Sequence, residues 1–217
     1  MIIAIDGPAA SGKGTISKGL AKHYDLAHLD TGLLYRAVAF AMGESINNDG
    51  FEAKAIKIAK SIDKNILNPD ILNLDILGTP QIASGAAKIA KIEQVRAALR
   101  QYQINFSKAD NGAILDGRDI GTRICPNASV KLFITADASV RAKRRTLQLL
   151  GKGLAADESD ILAQIIARDK SDTNNKAGNF YKASDAHLLD TTNLDIESSL
   201  RKAIAIVETV IANGSEE

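Results

Sequence analysis

Ile2-Ile3-Ala4-Ile5-Asp6 followed by GPAASGKGT, Gly7 to Thr15, is the stretch that decides the fold. A short apolar run that ends in an acidic residue and passes at once into glycines reads as a buried strand turning into a helix. Gly7, Gly12 and Gly14 let the backbone turn tightly and come close to an anion. Successive N–H groups and the positive end of the next helix then point at phosphate oxygens. Lys13 adds a mobile point charge for the outer phosphates. Gly7, Pro8, Ala9, Ala10, Ser11, Gly12, Lys13, Gly14 and Thr15 are therefore the expected binding loop for a nucleoside triphosphate. The strict signature puts Ser or Thr directly after the lysine. Here Gly14 intervenes and Thr15 follows, so the hydroxyl expected near magnesium is displaced by one position. The alternative is a tight turn with no ligand, against which the preceding strand and Lys13 both argue. The loop is silent on a second substrate.

Outward from the loop, 217 residues are enough for one substantial core with insertions, not for two ordinary domains. A net charge of +1 gives no global basic surface, and four Tyr, five Phe and no Trp leave few stacking platforms, so nucleic acid is not an expected partner. The single cysteine, Cys125, excludes an internal disulfide and a cysteine-based zinc cluster, and reads as a small buried side chain in a reducing compartment. The N-terminus opens straight into the strand with no basic leader, and no apolar run approaches the roughly 18 residues of a membrane span. A cytoplasmic, monomeric protein with no membrane partner is expected.

The pattern then alternates. Lys13 to about Tyr24 reads as a helix, Leu26 to Leu29 as a second strand, Leu33 to Met42 and Phe51 to Ile62 as helices. Asn65 to Leu67 and Ile71 to Leu77 read as short β-like runs around an Asn68-Pro69-Asp70 hairpin turn, and Thr79-Pro80 starts another helix. Ile92 to Lys108 is a long helix. Ala113 to Asp116 and Val130 to Ile134 are apolar runs typical of buried parallel strands. Helices are expected at Ala138 to Leu150 and Glu158 to Lys170, a mobile polar stretch at Ser171 to Lys182, a strand at Ala186 to Leu189, a closing helix at Ile196 to Ala212 and a tail from Gly214. The fold class is α/β, a doubly wound parallel sheet with helices on both faces; strand order stays open.

Four further groups carry possible chemistry. Asp30-Thr31-Gly32 opens a helix bearing Tyr35 and Arg36; Arg36 is either a phosphate clamp or a solvated side chain above a capped helix start. Asp116-Gly117-Arg118-Asp119-Ile120-Gly121-Thr122 packs charges between glycines at the end of an apolar strand, which is costly unless they meet ligands or each other. Arg141, Arg144 and Arg145 fall at i, i+3 and i+4, so one helical face presents three guanidiniums to an anion such as a triphosphate, or to solvent. Arg168 and Asp172 read in isolation as an i,i+4 ion pair. His23, His28 and His187 lie in no evident partnership with Ser or Cys, and no close-spaced metal-ligand cluster appears, which argues against hydrolytic or covalent catalysis. Phosphoryl transfer to an acceptor that is already a phosphate needs two anions brought into line and their charge neutralised by arginines, a lysine and magnesium. That inventory is present.

GPAASGKGT, LDTGLLYR at Leu29 to Arg36, Val95-Arg96, DGRDIGT at Asp116 to Thr122 and RAKRR at Arg141 to Arg145 together resemble, in order and spacing, the bacterial cytidylate kinases. The displaced hydroxyl of the loop fits that group better than the GTPases. The resemblance implies a P-loop NTPase fold in one kinase domain over 1–217. Within it, about 31–108 would include a monophosphate-binding lobe with a shortened insertion near 63–91, lacking one strand of the family's small sheet, and about 141–182 a helical lid. It implies Mg2+-dependent transfer of the ATP γ-phosphoryl group to CMP or dCMP in pyrimidine nucleotide metabolism. Lys13, Arg118, Arg141, Arg144 and Arg145 would be catalytic, Thr15 would face the metal directly or through water, and Thr31, Tyr35, Arg36, Ser84, Arg96, Arg118, Asp119, Arg168 and Asp172 would hold CMP. Three places depart from the family, one of them Asn179-Phe180, where a proline and leucine are usual. Its cytosine-contacting serine aligns with Ala87, with Ser84 one turn away, and its last lid arginine aligns with Asn175, with Lys176 adjacent. Competing readings are a sibling kinase for UMP, AMP or dephospho-coenzyme A, and a regulatory module that binds ATP without turnover.

Overall fold

The computed structural model describes residues 1–62, 74–175 and 180–214. Five strands, β1 (Ile2–Asp6), β2 (Ala27–Asp30), β3 (Ala113–Gly117), β4 (Val130–Thr135) and β5 (His187–Asp190), form one sheet in the order β2-β3-β1-β4-β5. The helices among the described residues are α1 (Lys13–Tyr24), α2 (Thr31–Met42), α3 (Phe51–Ser61), α4 (Leu74–Leu77), α5 (Pro80–Ile89), α6 (Glu93–Phe106), α7 (Ala138–Leu150), α8 (Glu158–Thr173) and α9 (Ile196–Gly214). With helices on both sides of a parallel sheet, the fold is that of a P-loop NTPase.

The chain divides into two compact units, Met1–Leu29 with Ala109–Glu217, and Asp30–Lys108. In the first, β1 is central because Ile3, Ala4 and Ile5 have no solvent-facing side, and a strand with both faces apolar is stable only where both are covered. It pairs in parallel with β3, from Ile2 beside Ala113 to Asp6 beside Gly117, and with β4, from Ile3 beside Val130 to Asp6 beside Phe133. β4 pairs in parallel with β5, from Leu132 beside His187 to Thr135 beside Asp190. These registers bring the residues after Asp6, Gly117, Thr135 and Asp190 to one edge of the sheet, where open α/β sheets hold ligands. On one face Ile3, Ile5, Ile114, Leu132 and Ile134 pack with Ile16 and Leu20 of α1 and Ala203 and Val207 of α9.

The regular elements that lie wholly within the second unit's described residues are all helices. Asp30 caps α2, its carboxylate accepting from the Gly32 N–H at 2.9 Å. Thr79 caps α5, with Pro80 in the first turn where its missing N–H is harmless. Leu74–Leu77 is a turn of helix, not the end of a strand: Leu77 is buried among Ala37, Leu33 and Ile82, so side-chain burial against α2 overrides its β-like composition. The expected Asn65–Leu67 strand and the Asn68-Pro69-Asp70 turn lie outside the described residues, as do Lys176 and Asn179. α8 runs to Thr173, so the stretch expected to be mobile from Ser171 begins as helix.

Candidate functional site

The loop after β1 has the geometry of an anion cradle. Gly12 is left-handed at φ 87°, and Ala10 at φ 59° is held in the same region, the alternation that turns consecutive N–H groups toward one side. Gly7 is required by space: a Cβ there would lie 2.0 Å from the Ile134 carbonyl oxygen. Three carbonyls of the loop are tied down by side chains of the first unit. Arg118 Nη1 donates to Gly7 O at 2.8 Å, Arg141 Nη1 to Ala9 O at 3.2 Å, and the Thr191 hydroxyl to Ser11 O at 3.0 Å. In a trans peptide the N–H points opposite to the C=O, so fastening the Ala9 and Ser11 carbonyls aims the Ala10 and Gly12 N–H groups away from those anchors. The Ser11 hydroxyl is buried with no partner among the described residues, an orphan donor of the kind a phosphate oxygen satisfies. Thr15 is exposed in the first turn of α1.

Charges converge beside this loop. Asp6, the last residue of β1, accepts from the Ile120 and Gly121 N–H groups at 2.8 Å each, which fastens the π-helical turn Ile120–Ile124 to the base of the loop. Burial pushes its carboxyl up to about 6 from 3.8; the two N–H groups oppose this, the Asp119 charge adds to it and Lys13 counters. Asp116, buried at the end of β3, lies 3.4 Å from Lys13 Nζ through one oxygen and 2.9 Å from His28 Nε2 through the other. Burial works to raise its pKa, but Lys13 and His28 outweigh burial and hold it below the usual carboxylate range. The residue is an anion at neutral pH.

The arginines sort themselves differently from their sequence spacing. Arg118 donates from Nε to Asp172 at 2.7 Å, with the Phe180 ring 5.7 Å from its guanidinium carbon. Asp172 is therefore engaged from β3's end, and Arg168 is half-buried one turn earlier on α8. Arg141 is buried and makes a two-pronged contact with Asp169 at 2.6 and 3.2 Å, besides its bonds to Ala136 O and Ala9 O. Arg144 turns the other way, donating to the Thr191 hydroxyl at 3.0 Å, to Thr191 O at 2.7 Å and to Leu194 O at 3.1 Å. Arg145 donates to Gln148 on the surface at 2.7 Å. Each of the three guanidiniums has backbone, amide or carboxylate oxygens near its own part of the helix.

Within the second unit, Arg36 donates to Leu77 O at 2.8 Å, and the Arg96 guanidinium carbon lies 5.9 Å from the Tyr35 ring centre. Thr31 is buried at the start of α2, while Ser84 is exposed on α5 and Ala87 half-buried one turn on. Asp119, in the first unit, is 6 % exposed.

A model of the cytidylate kinase family matches residues 3–209. The chain belongs to the cytidylate kinase family. It is 51% identical over 208 residues to a cytidylate kinase of Afipia carboxidovorans, covering 96% of this chain and 97% of the relative. A cytidylate kinase of Rhodopseudomonas palustris is 50% identical over 98% of both chains, and one of Bradyrhizobium diazoefficiens 48% identical over 99% of both. The protein is a phosphotransferase of the nucleoside monophosphate kinase class. A crystal structure of an uncharacterized protein from Eubacterium ventriosum shares the fold alone, with a TM-score of 0.55, 16% identity, and coverage of 96% of this chain and 98% of that one.

Three contributors to this family site escape sequence reasoning: His28, Thr191 and Asp6 as a clamp. His28 and Asp116 are 88 positions apart, and Thr191 and Ser11 are 180 apart. Only the strand order, which puts β2 beside β3, reveals the first pair. Asp6 carries a local signal: a carboxylate at the inner end of a fully buried strand must find donors.

Proposed function

We propose that this cytidylate kinase family member transfers the γ-phosphoryl group of ATP to CMP and dCMP, giving ADP and the diphosphate, as a cytoplasmic enzyme of pyrimidine nucleotide metabolism. The observation that carries this reading is the family match over residues 3–209. The donor triphosphate lies in the loop Gly7 to Thr15, with Lys13 on its outer phosphates and Ser11 donating its orphan hydroxyl. Mg2+ takes oxygen ligands, and the exposed Thr15 hydroxyl is a donor of that kind. The ion would be held by the phosphates and Thr15, directly or through water, and when bound it neutralises charge on the transferring group. Arg141, braced by Asp169, adds positive charge beside the loop, and Arg118, braced by Asp172, serves the acceptor phosphate.

Thr31, Tyr35, Arg36, Ser84, Arg96, Asp119, Arg168 and Asp172 are the acceptor-binding residues that the family resemblance implies. About 31–108 would include the monophosphate-binding lobe, and about 141–182 would be the lid. A phosphate acceptor needs no strong base, so catalysis consists of positioning and charge neutralisation. The test is a coupled ADP-release assay with Mg-ATP and a panel of CMP, dCMP, UMP, AMP and dephospho-coenzyme A. CMP and dCMP are the expected acceptors, with turnover abolished by Lys13→Met. Absence of phosphorylation of any pyrimidine monophosphate refutes the reading.

A further inference from the structure

We propose that His28 is a positioning residue for the loop lysine: it keeps the buried Asp116 carboxylate hydrogen-bonded, so that Lys13 is released from Asp116 to the triphosphate at low cost. The proposal deepens the donor-site reading above and rests on it. Asp116 has a side chain only 2% exposed and sits where β3 ends. Its two oxygens face different partners. His28 Nε2 is 2.9 Å from Oδ2, whereas Lys13 Nζ is 3.4 Å from Oδ1. Charge-assisted N–H to carboxylate bonds close to about 2.7–2.9 Å, so the histidine makes the fully formed contact and the lysine the loose one.

The inequality has a functional meaning. Lys13 opens α1 at the phosphate loop and must direct its ammonium to phosphate oxygens when ATP arrives. A buried carboxylate that loses a partner without replacement is strongly disfavoured, and that penalty weakens ATP binding. Each donor that stays on Asp116 when Lys13 departs lowers it. With the proton on Nε2, the His28 ring is such a donor, and it is well placed to stay: it belongs to β2, beside β3 in the sheet, and its side chain is 16% exposed. His28 needs no contact with either nucleotide to act. Its effect on ATP passes through Asp116 and Lys13.

The experiment compares wild type, His28→Phe, His28→Gln, Asp116→Asn and His28→Phe/Asp116→Asn by direct titration with Mg-ATP and by steady-state kinetics with CMP. His28→Phe, which keeps bulk but removes the donor, is expected to weaken Mg-ATP binding and raise KM for ATP about tenfold while KM for CMP moves less than about twofold. His28→Gln retains a donor and restores ATP affinity to within about threefold of wild type. In the Asp116→Asn background the His28→Phe effect shrinks to less than about twofold, because no buried anion is left to satisfy. Unchanged ATP affinity in His28→Phe overturns the proposal, and so does an effect of equal size in the Asp116→Asn background. If His28→Phe fails to fold, as read by far-UV circular dichroism, His28→Gln is compared with His28→Asn, whose amide is too short to reach: weaker ATP binding in His28→Asn supports the proposal, and equal binding overturns it. Wild type that binds Mg-ATP but phosphorylates no CMP sinks the acceptor assignment while the titrations still decide on His28; wild type that binds no ATP sinks both.

Discussion

Asp6→Asn separates what the Asp6 carboxylate holds from what its charge costs. The carboxyl is pushed up from 3.8 to about 6, chiefly by burial. Below 3.8 both folded and unfolded chains carry the proton and no penalty exists. Between the two values the unfolded chain ionises while the folded one resists, so stability falls as pH rises, and above about 6 the loss is complete. A shift of that size corresponds to about 3 kcal/mol in total. Between pH 4.5 and 7.5 the part still to be lost is about 2 kcal/mol. Asn titrates nowhere in this range. One of the Ile120 and Gly121 N–H groups, each at 2.8 Å from the carboxylate, then faces an amide NH2 and goes unpaired. That offset is about 1–3 kcal/mol and does not depend on pH. The difference in unfolding free energy between variant and wild type therefore moves by about 2 kcal/mol in favour of the variant from pH 4.5 to 7.5. Urea unfolding of both proteins across this range measures it, and the subtraction removes the titrating groups that do not interact with Asp6. Parallel pH profiles, or a shift of the opposite sign, refute the assignment of a buried, reluctantly ionised carboxylate.

Gly7→Ala forces a Cβ to within 2.0 Å of the Ile134 carbonyl oxygen, which is backbone and cannot step aside, so the loop must shift; Mg-ATP titration is expected to show loss of binding of more than about tenfold, beyond any fall in Tm. Arg144→Ala is expected to destabilise the fold, because Arg144 fastens Thr191 and Leu194 with three bonds; thermal unfolding should show a loss of about 1–3 kcal/mol.

Sequence legibility in this molecule follows the range of the interaction. The β1-to-α1 transition is legible because everything that makes it is local: an unbroken apolar run, glycines where the backbone turns left-handed, and a lysine opening the helix. The caps are legible for the same reason, Asp30 bonding to Gly32 two residues on and Thr79 accepting from Ile82 three residues on. Leu74–Leu77 reads wrongly as strand because four residues carry too little periodicity to tell strand from helix, and burial of Leu77 against α2 decides the matter. The arginines show the limit most clearly. Spacing correctly puts Arg141, Arg144 and Arg145 on neighbouring positions of α7 but cannot say what lies opposite each one. That depends on α8 and the segment after β5, which arrive from 28 to 50 residues away.

The sites these distant partners occupy share one physical requirement. Gly7, Ala9 and Ser11 expose carbonyls that would otherwise point negative dipoles at an incoming triphosphate, and each is turned outward by a donor from a different segment: Arg118, Arg141 and Thr191. Two of those donors are themselves neutralised by carboxylates, Asp172 and Asp169, at 2.7 and 2.6 Å. Arginines held this way are fixed in direction before ATP arrives, so their ordering entropy is already met by folding. The same logic makes Asp116 hazardous, since a buried anion near the loop competes with phosphate for Lys13. A hydrogen-bond partner for that anion is what the loop requires, and β2 supplies it in His28 at 2.9 Å.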